Sequence, residues 1–368
     1  MSFRARALLA LVVALGLGSL AVPTNGASAA VPTATAPATA TATAPAADGR
    51  RHQVISRTVA FDLTNTGNSL LSCPADNQVY PVRARLVGPR QKVLGYAGST
   101  RMNVLVHDAG TGGWFWNLRQ HPAYDYATQL GREGELSLVL DRLGYDSSPL
   151  ANGRSTCLDA QANMLHQVVQ HLYAGIYDFT QGGFSPPHAS SVVVHGHGTG
   201  GAIAQLEAAR HDDVDGLVLM SWAGSNASQL AVDQARQQTS ACLTGPGYAS
   251  YGASKAAFQR LLFASAPAAV RRNALSQRNS TPCGDVTSLP STLLSSVLTA
   301  GQVEAPVLLM AGSKDARIRR EATQDTAASF RSSTKVTTRI IAGAGSALPL
   351  ERSAPKTRAA VLRWLHGL

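Results

Sequence analysis

An α/β fold built on a mostly parallel, doubly wound sheet is predicted by this sequence, and three observations predict it. Short apolar runs recur at Val104-Leu105-Val106, Leu138-Val139-Leu140, Val192-Val193-Val194, Leu217-Val218-Leu219 and Val307-Leu308-Leu309. Helix-length stretches separate most of them, as at Asp159 to Tyr173, where apolar residues keep helical spacing. Glycine-rich turns follow several of the runs. Strands buried on both faces and alternating with helices fit a parallel sheet, because a sheet with one wet face would alternate apolar with polar residues.

The chain opens on an address. Arg4 and Arg6 precede an apolar run from Ala7 to Val22, and Ala27-Ser28-Ala29 offers a small-residue cleavage site, so residues 1–29 read as a signal peptide and the protein as secreted. Glycines interrupt the run and Pro23 ends it, which disfavours stable membrane insertion, and no later segment is apolar enough to span a bilayer. Residues 30–50 are almost wholly Ala, Thr, Pro and Val, too little bulk to offset chain entropy, and are expected to form a disordered tether. Residues 51–368 suffice for one large domain with a full core.

Within that domain, Arg57 to Leu63 and Val79 to Val87 alternate apolar and polar residues, as half-exposed edge strands do. The apolar runs follow, then a last strand at Val336 to Ile341 and a helix from Pro355 to Leu365. Residues 228–303 break the strand-helix rhythm. They are rich in Ala, Gln and Ser, with helical segments such as Ser254 to Phe263, and are expected to form a helical cap over one end of the sheet. No internal repeat is visible.

Formal charge is +10 for the whole chain; cleavage after Ala29 leaves thirty basic against twenty-two acidic residues, or +8. The excess is scattered. Arg271-Arg272 and Arg317 to Arg320 are short clusters without interleaved aromatics, so they read as solvated surface and no nucleic-acid partner is expected. Four cysteines, Cys73, Cys157, Cys242 and Cys283, in an exported chain imply two disulfides. Three connectivities are open; Cys73 with Cys157 and Cys242 with Cys283 is favoured on proximity, the second pair closing a loop inside one insertion. Their spacing fits no zinc pattern, and neither a metal nor a cofactor is expected.

In such a sheet ligands sit beyond the carboxyl ends of the strands, so chemistry is expected in the residues after each apolar run. Those residues are His107-Asp108-Ala109-Gly110-Thr111-Gly112-Gly113-Trp114, then Asp141-Arg142-Leu143-Gly144-Tyr145-Asp146-Ser147-Ser148, then His195-Gly196-His197-Gly198-Thr199-Gly200-Gly201. Gly312-Ser313-Lys314-Asp315 and Gly343-Ala344-Gly345-Ser346-Ala347-Leu348 follow. In this order the segments resemble the α/β-hydrolase superfamily: its oxyanion loop, the turn after the next strand in the lipase and epoxide-hydrolase branches, its nucleophile elbow, and the turns of its triad acid and histidine. The resemblance implies an α/β-hydrolase fold with a cap inserted before the strand that carries the acid.

Two of the three triad positions depart from that pattern. The elbow Gly-x-Ser-x-Gly reads Gly196-His197-Gly198-Thr199-Gly200, so Gly198 stands at the nucleophile position with no atom to attack with. Glycine keeps the elbow's shape and sheds strain of about 1–3 kcal/mol. Ser346 stands at the histidine position, and a hydroxyl takes no proton near neutral pH. Loss of either member costs a serine protease about a millionfold in turnover, so ordinary Ser-His-Asp hydrolysis is not expected.

Asp315 matches the triad acid; with its histidine gone, a turn residue bonding nearby amides is an equal reading. Asp108 stands where the family has glycine, beside the oxyanion-hole amide of Ala109, where a carboxylate would repel a developing oxyanion. Under a cap it could have a raised pKa and move protons, or it could cap the Gly110 to Gly113 turn. His107, His195 and His197 are bases only if their rings reach the pocket. Thr199 presents its amide to the oxyanion hole. Trp114, Phe115, Trp116 and Trp222 are candidates to line an apolar pocket, or are core. Three functions remain open: a lyase, eliminase or cyclase on a small organic substrate; a pseudohydrolase binding a small-molecule ligand or a protein partner; and an esterase-like hydrolase with a rewired nucleophile.

Overall fold

Alternating burial sets the first two strands. The computed structural model describes residues 52–67, 73–182, 185–319 and 321–368; the expected signal peptide and tether lie outside the described residues. In β1 (Val54–Thr64) the buried positions are Val59, Phe61 and Leu63, and in β2 (Val79–Pro89) Val82, Ala84 and Leu86. They pair antiparallel, Val59 opposite Ala84. After α1 (Arg90–Val93) the strand-helix alternation begins. It runs through β3 (Thr100–Val106), α2 (Tyr126–Arg132), β4 (Leu136–Leu140), α3 (Leu158–Ala174), the two-residue β5 (Asp178–Phe179), β6 (Ala189–His197), α4 (Thr199–His211) and β7 (Gly216–Met220).

The chain then leaves the sheet. It forms α5 (Gln229–Thr244), β8 (Tyr248–Ser250), α6 (Lys255–Leu262), α7 (Ala268–Ser276), β9 (Ser280–Pro282) and α8 (Cys283–Thr299). It returns through β10 (Val307–Gly312), α9 (Ala322–Ser329), β11 (Val336–Ile341) and α10 (Ala354–Leu365). The disulfide Cys242–Cys283 joins the end of α5 to the start of α8, and Cys73–Cys157 ties the segment before β2 to the start of α3. This is the pairing favoured on proximity.

The nine-stranded sheet has the order β11-β10-β7-β6-β3-β4-β2-β1-β5, parallel from β11 to β4. The α/β-hydrolase architecture expected from the motifs is present. One expectation needs correction: β2 is not an edge strand, since it lies between β4 and β1, and β1 carries β5 on its outer side. Their alternation reflects half-covered antiparallel strands, which need not be outermost. The exposed edge is β11, where Thr338, Arg339 and Ile340 face solvent.

The central strands send alternate residues to two cores. Val104, Leu138, Val194, Leu217 and Leu309 meet α3 and α4 on one face; Leu105, Val139, Val193, Val218 and Leu308 meet α2 and α10 on the other. Helix α3 buries Leu158, Ala162, Leu165, Val169 and Leu172, spaced three and four apart, and stops at Gly175, whose φ of +66° gives the left-handed C-terminus. Among the described residues no helix is long and apolar enough to cross a membrane.

Candidate functional site

Five strand ends converge on one point. β3 delivers Asp108, β6 the elbow at Gly198, β7 Ser221, β10 Asp315 and Arg317, and the turn after β11 Ser346. Gly198 has φ +54° and ψ −120°, the strained corner between strand and helix that a nucleophile would occupy. A Cβ added there would fall on the carboxylate of Asp108.

That carboxylate occupies the oxyanion hole. Asp108 Oδ1 accepts from the amides of Ala109 at 2.8 Å and Thr199 at 2.7 Å, and from the Thr199 hydroxyl at 2.9 Å. These two amides are the ones this fold aims at a developing oxyanion. The second oxygen, Oδ2, accepts from Arg317 Nη1, which also donates to the Tyr251 hydroxyl at 3.0 Å. Arg317 Nη2 lies 3.0 Å from Ser221 Oγ and 3.2 Å from His197 Nε2.

Burial alone would raise the Asp108 carboxyl; Arg317, His197 and the Thr199 amide overcome it and hold the group down to about 2. The expected raised pKa is therefore wrong, because the sequence did not show which cation would arrive. Nor does the carboxylate cap the glycine turn, whose Thr111 hydroxyl instead donates to the Asp108 carbonyl.

The triad remnant is a chain of hydroxyls. Asp315 Oδ2 accepts from Ser221 Oγ at 2.5 Å, Ser221 Oγ is 2.8 Å from Ser346 Oγ, and Ser346 Oγ is 3.2 Å from His197 Nε2. The remaining Asp315 oxygen accepts from the Arg317 amide at 2.9 Å. Burial raises the Asp315 carboxyl against the pull of Arg317. His197 stacks on Phe115, ring centroids 4.3 Å apart, and burial with the neighbouring Arg317 cation lowers its imidazole to about 3, so it is neutral at ordinary pH.

The other histidines stay away from the pocket. His107 is fixed between the Asp108 carbonyl at 2.9 Å and the Arg142 amide at 3.2 Å, its imidazole pushed well below the ordinary value by burial. His195 bridges Tyr126 and Asn103, 3.1 Å to each, inside the sheet.

A cavity of about 170 Å³ opens over the site, lined by Asp108, Gly198, Trp222, Gln234, Leu289 and Leu293 among others. Residues of α5 and α8 thus face the strand ends directly. The nitrogens of Gln234 and Gln238, one helical turn apart on α5 and both lining the cavity, are buried without a hydrogen-bond acceptor among the described residues.

Trp222 lines this cavity as expected, but Trp114 does not. Trp114 borders a separate polar cavity of about 380 Å³ with Arg85, Asp141 and Arg278, and is itself buried core packed on Phe115. Phe115 and Trp116 are core.

Arg317 corrects a further expectation. Read as solvated surface, it is 7% exposed and forms a buried ion pair. Ser221, Tyr251 and Arg317 are the site residues that motif reading missed. Ser221 directly follows the run ending at Met220, and Arg317 lies two positions past Asp315, so the strand-end rule extended by two residues would have found both.

A model of the alpha/beta hydrolase family matches residues 104–361, and the chain belongs to that family. No curated protein matches the sequence. Among solved structures, an esterase from Thermogutta terrifontis with malate bound is similar at 18% identity and TM-score 0.57, covering 84% of this chain and 98% of its own. The Paleococcus ferrophilus monoacylglycerol lipase is similar at 18% identity and TM-score 0.54, covering 73% and 95%. A peroxisomal alpha-beta-hydrolase of Saccharomyces cerevisiae is similar at 13% identity and TM-score 0.55, covering 86% and 89%. Identities this low carry the fold alone.

Proposed function

We propose that this protein is a secreted pseudohydrolase, a binding protein that keeps the family's pocket and has lost its hydrolysis. One observation carries the reading: the Asp108 carboxylate, neutralised by Arg317, fills the oxyanion hole formed by the amides of Ala109 and Thr199. No carbonyl oxygen can enter that hole while the carboxylate is there. Non-hydrolytic proton transfer meets the same obstacle, since Asp108 is engaged by four donors and His197 binds a proton only in strong acid. Two disulfides support an oxidising, extracellular setting.

The ligand that fits is small and largely apolar, with a hydrogen-bond acceptor for Gln234 or Gln238. A dry cavity of roughly 150 Å³ holds a molecule of benzene's size, which sets the scale. Medium-chain alcohols, ketones and esters should bind intact, measured by calorimetry, and Leu293→Trp should weaken them at least tenfold by filling the cavity. Turnover of p-nitrophenyl esters or labelling by a fluorophosphonate would sink the reading.

A rewired hydrolase is the second reading, because Asp108 lies where a nucleophilic side chain on Gly198 would lie. In it, Asp108 Oδ2 attacks an electrophilic carbon and breaks its bond to a leaving group, which departs with a proton or as an anion. Water then adds to the Asp108 carbonyl carbon and cleaves the resulting ester, releasing an alcohol and regenerating the carboxylate. Turnover in heavy-oxygen water would place the label in Asp108, read by peptide mass spectrometry; an unlabelled Asp108 removes this reading.

A further inference from the structure

Away from the strand ends, α3 and α4 bring together three residues that the family's chemistry does not use. His166 of α3, Glu207 of α4 and Asp213 just past α4 each offer one donor atom, all within 4.8 Å of one another. They are separated by 41 and 6 positions in the sequence, so no local spacing reveals them. His166 Nδ1 lies 2.8 Å from Asp213 Oδ2 and 3.8 Å from Glu207 Oε1.

Glu207 is the anomaly. Its side chain is fully buried, and among the described residues no donor hydrogen-bonds either of its oxygens. Burial and the adjacent Asp213 carboxylate push it well above the ordinary carboxylate range. A buried carboxylate aimed at a second carboxylate, with one imidazole nitrogen beside both, is costly unless a cation or a shared proton sits among them.

We propose that His166, Glu207 and Asp213 form a binding site for a divalent transition-metal cation of the zinc type. One nitrogen and two carboxylate oxygens are a borderline donor set that suits Zn²⁺ better than Ca²⁺ or Mg²⁺, which seek oxygen alone. Tetrahedral zinc with bonds near 2.1 Å sets its ligand atoms about 3.4 Å apart. The two separations from His166 Nδ1, 2.8 and 3.8 Å, bracket that value, and with all three donor atoms within 4.8 Å of one another the carboxylates need only close in on the ion.

The surroundings favour such a site. Gln170 Nε2 donates to Asp213 Oδ2 at 2.6 Å and orients that carboxylate, and the His211 ring stacks on His166 with centroids 3.6 Å apart. The His166 and Asp213 side chains are 29% and 16% exposed, leaving an entry path and a fourth position for water. Bound there, the ion would tie α3 to the C-terminal end of α4.

The test is Zn²⁺ titration of the purified, chelator-stripped full chain by calorimetry, with Co²⁺ as a spectroscopic probe. One Zn²⁺ per chain with micromolar or tighter affinity is expected, together with visible cobalt bands of tetrahedral intensity. Glu207→Gln should weaken Zn²⁺ at least tenfold and abolish the bands, with the fold verified by circular dichroism. Should that buried substitution fail to fold, the more exposed Asp213→Asn gives the same readout. No binding, or binding unchanged in the variants, overturns the proposal and leaves Glu207 and Asp213 sharing a proton.

Discussion

Arg317 reaches across 209 positions of sequence to donate to Asp108, and the two form a buried ion pair beside the backbone amides of Ala109 and Thr199. Breaking such a pair strands one charge, which costs more than the pair itself contributes. Arg317→Met should therefore destabilise the fold by about 3–5 kcal/mol, whereas Asp108→Ala with Arg317→Met should lie within about 2 kcal/mol of the parent. Urea unfolding of the three proteins measures both. A single variant as stable as the double would show that the pair is not buried as described.

The same pair makes a pH prediction. The folded Asp108 carboxyl sits near 2, below its ordinary 3.8. A depressed carboxyl contributes stability that is complete above the unfolded value and lost as pH falls through 3.8 towards 2, amounting to roughly 2 kcal/mol. Arg317→Met removes the cation, so the acid limb of its stability curve should begin at higher pH.

His195 and His197 act in the range just above. Both imidazoles are lowered from 6.5 to about 3, burial being the first cause. The unfolded chain then binds protons more readily between those values, so stability is complete above pH 6.5 and falls as pH drops, by about 1.4 kcal/mol per pH unit for each ring. His195→Gln, which still meets Tyr126 and Asn103, should flatten the slope by one ring's share. An unchanged slope between pH 6 and 4 would contradict the assignment.

Restoring a hydrolase requires three changes. Gly198→Ser with Ser346→His replaces the missing members, but the new Cβ falls on the Asp108 carboxylate, so the double variant should be destabilised and inert. Adding Asp108→Gly clears both that clash and the oxyanion hole, while stranding the Arg317 cation, so the triple variant should be less stable than the parent by about 3–5 kcal/mol. The triple variant should then label with a fluorophosphonate and hydrolyse p-nitrophenyl acetate, while the double does neither. A folded triple variant without labelling would place the catalytic alignment in error.

The disulfide Cys242–Cys283 closes 41 residues of the chain between α5 and α8. Replacing both cysteines by alanine should cost about 3–4 kcal/mol on the chain-entropy account. Limited proteolysis should show cleavage appearing first within 243–282, the stretch that the bond closes.

Residue identity and short-range period were enough for much of this. The apolar runs at Val104, Leu138, Val192, Leu217 and Val307 became β3, β4, β6, β7 and β10, because a strand buried on both faces must be apolar throughout. Gly198 and Ser346 likewise stand where the resemblance expects a nucleophile and a base, and neither side chain carries that chemistry. Arg317 was misjudged as solvated surface because the burial of a charged side chain depends on which partner reaches it.

What sequence alone determined, then, was the sheet, its strand-end turns and which side chains at those turns carry a reactive atom; these depend on local pattern and on the atoms of each side chain. Only the tertiary structure decided that Arg317 neutralises Asp108, that Ser221 links Asp315 to Ser346, and that His166, Glu207 and Asp213 meet. The physical reason is that charge interactions depend on distance in space. A carboxylate whose burial alone would have raised its pKa is driven the other way by a cation 209 residues along the chain.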